Sequence, residues 1–284
     1  MPLQKRIAAV HDISGIGKCS LTAALPVLSA AGCEAAVIPT AELSTHTGGL
    51  NEYTYRDLSD DMLNIAKHWR KCGFEFDAFY SGFLGSTAQI DIVLKIIGTI
   101  CSDKTLILID PAMADNGRLY STFAPDFPKY MKLLCKRADI ITPNITEICL
   151  MTGNEYKSGP YDKAYIEKLL NDGKDLCGGK ILLTGVYFDY DSLGCAVFDA
   201  ANGKTEYIMA EKCKGFYHGT GDMFASAFLA ALMNDMALEK SAKIAVDFVR
   251  ECIIETQKEG NPIAYGVYFE RALPYLMKRL GIIQ

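Results

Sequence analysis

The residues of this 284-residue chain most able to do chemistry are Gly219-Thr220-Gly221-Asp222, followed at once by the apolar run Met223-Phe224-Ala225-Ser226-Ala227-Phe228-Leu229. Such a run predicts a buried helix, so the glycines fall at a helix start. Two glycines let consecutive backbone N–H groups converge, and the first helical turn adds its partial positive charge. Together they make an anion hole that could hold a phosphoryl group in transit. Asp222 stands beside it, placed to accept the proton of an attacking hydroxyl. Aspartate at a helix start is commonly only an N-cap, and the helix charge is expected to lower its basicity. A weak base still suffices for phosphoryl transfer, whose loose transition state depends mainly on positioning and charge stabilisation.

Two further segments carry oxygen ligands: Asp110-Pro111-Ala112-Met113 and Thr142-Pro143-Asn144-Ile145-Thr146-Glu147. Asp110 and Glu147 suit a magnesium ion that keeps its waters and bridges phosphates. Asn144 or Thr146 with Glu147 reads equally well as ordinary helix-start capping. His46, in Ser44-Thr45-His46-Thr47-Gly48-Gly49, is one of four histidines, and no other lies at metal-ligand spacing from it. A zinc site is therefore not expected. His46 and Thr47 are either solvated loop residues or contacts to a ligand ring.

The glycine-rich stretch Ser14-Gly15-Ile16-Gly17-Lys18-Cys19-Ser20 imitates two phosphate-binding motifs and satisfies neither. A P-loop would need glycine at Asp12 and serine or threonine at Cys19; a dinucleotide fingerprint would need a third glycine at Ser20. What remains is a flexible turn at a strand end whose backbone can approach a ligand.

These residues need a scaffold, and the chain supplies one by alternating short β-branched runs with longer stretches of helical period, the pattern of βαβ units. Strands are predicted at 6–10, 34–39, 78–81, 105–110, 139–142 and 180–184. Helices are predicted at 18–31, 57–72, 86–101, 128–135, 146–151 and 161–177. Strands at 193–198 and 205–209 flank Ala200-Ala201-Asn202-Gly203, a hairpin turn signal. Helices resume at 222–233, 238–257 and 268–280. No linker or repeat divides the chain, so one domain over 1–284 is expected. Ligands of open parallel sheets bind beyond the carboxyl ends of the strands. Asp12, Ser14, His46, Thr47, Asp110, Thr142, Asn144, Thr184 and Gly185 all fall at such ends.

A net charge of −5 leaves no basic stripe for nucleic acid. The apolar run within 1–10 is too short for a leader or a membrane span. No two of the ten cysteines lie closer than fourteen residues, so reduced thiols in a cytoplasmic protein are expected rather than metal or redox pairs.

In order and type, these motifs resemble the ribokinase-like superfamily, in particular its pyridoxal kinases, over nearly the whole chain. The resemblance implies a three-layer α/β/α fold with a mainly parallel central sheet and a late β-hairpin. It implies that Gly219, Thr220 and Gly221 form the anion hole and that Asp222 is the general base. Ser44-Thr45-His46-Thr47-Gly48 is similar to the family's vitamin-contacting Ser-Asn-His-Thr. Ser81-Gly82-Phe83-Leu84-Gly85-Ser86 is similar to a Ser-Gly-Tyr-Leu-Gly-Ser stretch, which puts Phe83 near the ring. Asp110, Thr142, Asn144, Glu147, Thr184 and Gly185 match nucleotide and cation positions. Asp12-Ile13-Ser14-Gly15 instead resembles the Asp-x-Ser-Gly loop of the hydroxymethylpyrimidine kinases, a sister family with the same hydroxymethyl acceptor. Asp12 and Ser14 are then substrate contacts. The implied partners are a B6 vitamer (pyridoxal, pyridoxamine or pyridoxine) and ATP with Mg2+, with K+ or Na+ as a further candidate, in a homodimer. The alternatives are a hydroxymethylpyrimidine kinase of thiamine synthesis, or a nucleotide- or vitamin-binding regulator without turnover, which would not need the intact Gly-Thr-Gly-Asp set.

Overall fold

A computed structural model describes residues 4–48, 50, 52–260 and 266–284. Residues 1–3, in the stretch read for a leader, and Gly49, which closes the His46 motif, lie outside the described residues. The amino-terminal half builds β1 (Arg6–Ile16), α1 (Leu21–Ala30), β2 (Glu34–Thr45), β3 (Tyr55–Asp57), α2 (Ser59–Lys71), β4 (Ala78–Ser81), α3 (Thr87–Ile100) and β5 (Leu106–Ile109). A small hairpin, β6 (Ala114–Asp115) with β7 (Arg118–Leu119), precedes α4 (Phe127–Cys135), β8 (Ile140–Ile141), α5 (Ile145–Thr152) and α6 (Lys163–Gly173). The remainder is β9 (Lys180–Val186), β10 (Ser192–Asp199), β11 (Lys204–Glu211), α7 (Thr220–Met233), α8 (Leu238–Glu259) and α9 (Phe269–Arg279).

One nine-stranded sheet has the order β11-β10-β9-β8-β5-β4-β1-β2-β3. Its centre is parallel from β2 through β9, while β3, β10 and β11 join antiparallel. Strands buried on both faces send alternate residues to opposite sides. Val10, Phe79, Ile109, Ile141 and Leu183 enter the core under α2 to α6. Ile7, Tyr80, Leu108, Ile140 and Leu182 enter a second core under α1, α7, α8 and α9. The expected three layers follow from that alternation.

Three differences from the sequence expectation bear on the site. β1 and β2 run on to Ile16 and Thr45, because pairing continues as Ser14↔Leu43 and Ile16↔Thr45 past an irregularity between His11 and Ile13. Asp12, Ser14 and Gly15 therefore sit on an extended strand, not in the flexible turn read from the glycines; the turn falls later, at Gly17 to Ser20. The short β3 and the β6–β7 hairpin carry too few residues for any periodicity to announce them. Among the described residues, no helix is long and apolar enough to cross a membrane, and all ten cysteines are free thiols.

Candidate active site

The carboxyl ends of β1, β2, β4, β5, β8 and β9 open into one cleft of about 830 Å³. All fifteen residues singled out above line it: Asp12, Ser14, His46, Thr47, Phe83, Asp110, Thr142, Asn144, Glu147, Thr184, Gly185, Gly219, Thr220, Gly221 and Asp222.

Gly219 precedes α7 with φ at +77°, a conformation that a side chain would strain. A Cβ there would also strike the carbonyl oxygen of Lys18. The approach to α7 is thus packed against the turn after β1, and the residues of its first turn, whose N–H groups lack intrahelical acceptors, line the cleft. Asp222 lies in the first turn, while the N-cap position belongs to Gly219. Its Oδ2 accepts instead from the Ser20 N–H at 2.9 Å. The N-cap reading of Asp222 therefore fails.

The expected drop in the basicity of Asp222 is also overturned. Burial at the foot of the cleft, with a smaller push from the charge of Asp12, raises its pKa to about 6 despite the opposing Ser20 N–H. Desolvation outweighs the helix terminus here.

On the acceptor side, Asp12 is 4 % exposed and takes a hydrogen bond from Ser14 Oγ at 3.2 Å. Burial raises its pKa as well. His11 beside it is wholly buried, edge-on to Tyr80 at 4.3 Å between ring centroids. Burial drops its pKa to about 3, so it supplies shape rather than charge. His46 is buried, not solvated: its Nδ1 accepts from the Gly48 N–H at 3.1 Å, and Gly17 leaves the space that its ring fills. Phe83 presents its ring beside Phe123, 5.5 Å away.

At the other end of the cleft, the capping reading of Asn144 and Glu147 holds. Asn144 Oδ1 accepts from the Glu147 N–H and Glu147 Oε2 from the Asn144 N–H, a reciprocal capping box on α5. Glu147 Oε1 accepts from the Met113 N–H at 3.1 Å, and Asn144 Nδ2 donates to the Ala114 carbonyl. These bonds tie the segment after β5 to α5 and so fix Asp110. Burial pushes the carboxyls of Asp110 and Glu147 both upward, and the charge of Glu147 raises Asp110 further. Thr184 is anchored through its N–H to the Pro143 carbonyl, and Gly185, at φ +75°, turns the backbone at a register irregularity opposite β10.

Several cleft residues escaped the sequence reading. Val246, Val249 and Ile253 of α8 join Phe224 of α7 and Leu193 of β10 in an apolar wall. Their i, i+3, i+7 spacing was a visible signal, hidden because a second stripe of α8, through Ala245, Phe248 and Cys252, faces the core. His218 stands between His46 and Phe216, with ring centroids 5.5 and 5.1 Å away. Residues of the segment 211–217 also line the cleft, and Gln257 Nε2 ties the segment to α8 through the Lys214 carbonyl and Tyr217 Oη. Among the described residues, no group of three or more His, Cys, Asp or Glu side chains is arranged to hold a metal ion.

The architecture has close relatives. A Lactobacillus plantarum pyridoxal kinase shares 30% identity and superposes with a TM-score of 0.88 over 97% of each chain. A Bacteroides thetaiotaomicron protein, provisionally named a phosphomethylpyrimidine kinase and solved with pyridoxal, shares 33% identity at a TM-score of 0.90 over 96% of each chain. A hydroxymethylpyrimidine/phosphomethylpyrimidine kinase of Aquifex aeolicus is 30% identical over 70% of this chain and 76% of its own. Fold and cleft define a pyridoxal kinase-like enzyme of the ribokinase-like superfamily. Residues 17–265 match the family model described as phosphomethylpyrimidine kinase. The chain belongs to that family, and it is a kinase.

Proposed function

We propose that this chain, acting as one kinase domain, transfers the γ-phosphate of ATP to the 5′-hydroxymethyl group of a B6 vitamer. The observation that carries the reading is the pairing of a partly buried carboxylate, Asp222, with the first turn of α7, both lining the cleft. Asp222 is ionised at neutral pH yet basic enough to take a hydroxyl proton. Gly219, Thr220 and Gly221 direct N–H groups at the phosphoryl group, stabilising charge where it develops. The acceptor ring lies between Asp12, Ser14, His46, Thr47 and Phe83. The nucleotide runs past Asp110, Thr142, Asn144, Thr184 and Gly185, with its base against the apolar wall of Val246, Val249 and Ile253.

A magnesium ion fits beside Asp110. The buried Asp110 carboxyl, held above its usual range by burial and by the charges of Glu147 and Asp222, is an acidic site that a cation would relieve. Both oxygens of Glu147 already accept backbone N–H groups, so Glu147 would act through water. Mg2+ there would neutralise phosphate charge. K+ or Na+ enters only as an activity requirement, read by omitting each ion from the assay. The free thiols support a reducing, cytoplasmic location, and a homodimer is part of the reading, tested by sedimentation.

A second reading, a hydroxymethylpyrimidine kinase, is favoured by Asp12 and Ser14, which are side by side as in that family's loop. A coupled ADP-release assay with pyridoxal, pyridoxamine, pyridoxine and hydroxymethylpyrimidine decides. Turnover of a B6 vitamer well above the pyrimidine supports the proposal; the reverse order replaces it, and no ADP with any acceptor leaves a binding protein.

A further inference from the structure

The acceptor end of the cleft contains a carboxylate oxygen that the protein leaves unsatisfied. Asp12 is 4 % exposed and lines the cleft. Its Oδ2 accepts from Ser14 Oγ, while its buried Oδ1 has no hydrogen-bond partner among the described residues. A buried acceptor without a donor is costly, and an ionised one more so. The strand extension that carries Asp12 is held by parallel pairing on both sides of the irregularity at His11 and Ile13, so the side chain cannot simply turn to solvent. The Ser20 hydroxyl and the Asp12 N–H are near enough to hold the carboxyl's pKa down, yet neither makes a hydrogen bond to Oδ1, so a donor on a molecule in the cleft would complete it.

The position of Asp12 narrows which part of the ligand that is. Asp12, Ser20 and Asp222 line the same part of the cleft, with the Ser20 N–H donating to Asp222, and the charge of Asp12 reaches Asp222. A ring whose hydroxymethyl oxygen reaches Asp222 brings its ortho substituent closest to a second carboxylate beside the base. In the B6 vitamers that substituent is an aminomethyl, a hydroxymethyl or an aldehyde group. The first two donate hydrogen bonds, and the aminomethyl group is also cationic; the aldehyde only accepts.

We propose that Asp12 is a specificity-determining residue that reads the substituent ortho to the phosphorylated hydroxymethyl group, favouring a hydrogen-bond donor, above all an ammonium, over an aldehyde. The inference rests on the acceptor reading of the preceding subsection. An ammonium beside Asp12 favours its ionised form and gives a charge-assisted hydrogen bond with pyridoxamine; pyridoxine offers a neutral donor, and the aldehyde oxygen of pyridoxal finds no donor on an ionised carboxylate. Uniform binding would not discriminate; a buried acceptor left unpaired by the wrong ligand does.

The test compares kcat/KM for pyridoxamine, pyridoxine and pyridoxal in the wild type, Asp12→Asn and Asp12→Ser, by coupled ADP release. In Asp12→Asn the pyridoxamine-to-pyridoxal ratio is expected to fall about 10- to 100-fold, the range for a hydrogen bond to a charged group. The pyridoxine-to-pyridoxal ratio falls less. Equal losses for all three vitamers overturn the inference, because Asp12 would then act through Asp222 or the fold. Should neither variant fold, calorimetry on the wild type decides: pyridoxamine must bind more tightly than pyridoxine, and equal affinities overturn the inference. Turnover with an unchanged ratio sinks the specificity role alone, whereas no ADP from any vitamer removes the acceptor reading and this inference together.

Discussion

Asp222 Oδ2 is held by the backbone N–H of Ser20 at 2.9 Å, a residue 202 positions away in sequence. The amino-terminal turn of the chain, rather than the helix that carries Asp222, sets the direction of the carboxylate. Ser20 adopts φ +54° to make that bond, a conformation uncommon for any residue with a side chain. Strain of this kind persists where the surroundings over-determine the backbone, and it concentrates at functional sites.

Asp222→Asn keeps an acceptor for Ser20 and therefore the fold. Its kcat is expected to fall roughly 10²- to 10⁴-fold, the range for a general base, while nucleotide affinity by calorimetry stays near the wild-type value. A kcat close to wild type would reduce Asp222 to a structural residue.

The role proposed for the same carboxylate predicts an acid limb. Because its pKa is about 6 and the ionised form accepts the proton, kcat/KM should drop as pH falls through about 6. A limb near pH 4 would mean that the base is not desolvated.

Stability should move the opposite way. The folded pKa of about 6 lies above the usual 3.8, so the folded chain binds more protons than the unfolded one between those values, and stability is lost as pH rises through that window. Asp222→Asn should therefore melt higher than wild type at pH 7, and the difference should shrink as pH drops below 6. An unchanged melting temperature at pH 7 contradicts this.

Gly219→Ala places a Cβ against the Lys18 carbonyl at a positive φ. A cost of about 1–3 kcal/mol is expected from the backbone conformation, with a fall in kcat as the anion hole shifts. Urea unfolding and steady-state kinetics measure both; wild-type behaviour in each would show that the loop has slack.

Glu147→Ala strips the acceptor from the N–H groups of Met113 and Asn144. Two buried donors left unpaired cost about 2–5 kcal/mol, whereas Glu147→Gln keeps one oxygen and should lose less. Equal stability of the two variants by urea titration would argue against the capping role.

Much of this architecture was legible because its signals are local. A β-branched run bounded by turns announces β4 or β9, and the cleft follows because the carboxyl ends of parallel strands share one edge. Asp110 and Thr142 met there for that reason alone. Long-range pairing left no such mark. Nothing in Asp12-Ile13-Ser14-Gly15 shows that β2 continues beside it, and so the glycines read as a turn. The pKa of Asp222 was misjudged because a helix terminus can be read from sequence, whereas desolvation depends on neighbours hundreds of residues away. The α8 wall was missed because one helix serves two surfaces.

Helix α7 is enclosed from Met223 to Ala231, so the first turn that carries Asp222 is anchored in the core. Segment 211–217, which also lines the cleft, is attached to α8 through the side chain of Gln257. If Asp222 is the base, substrates must align to α7, not the helix to them.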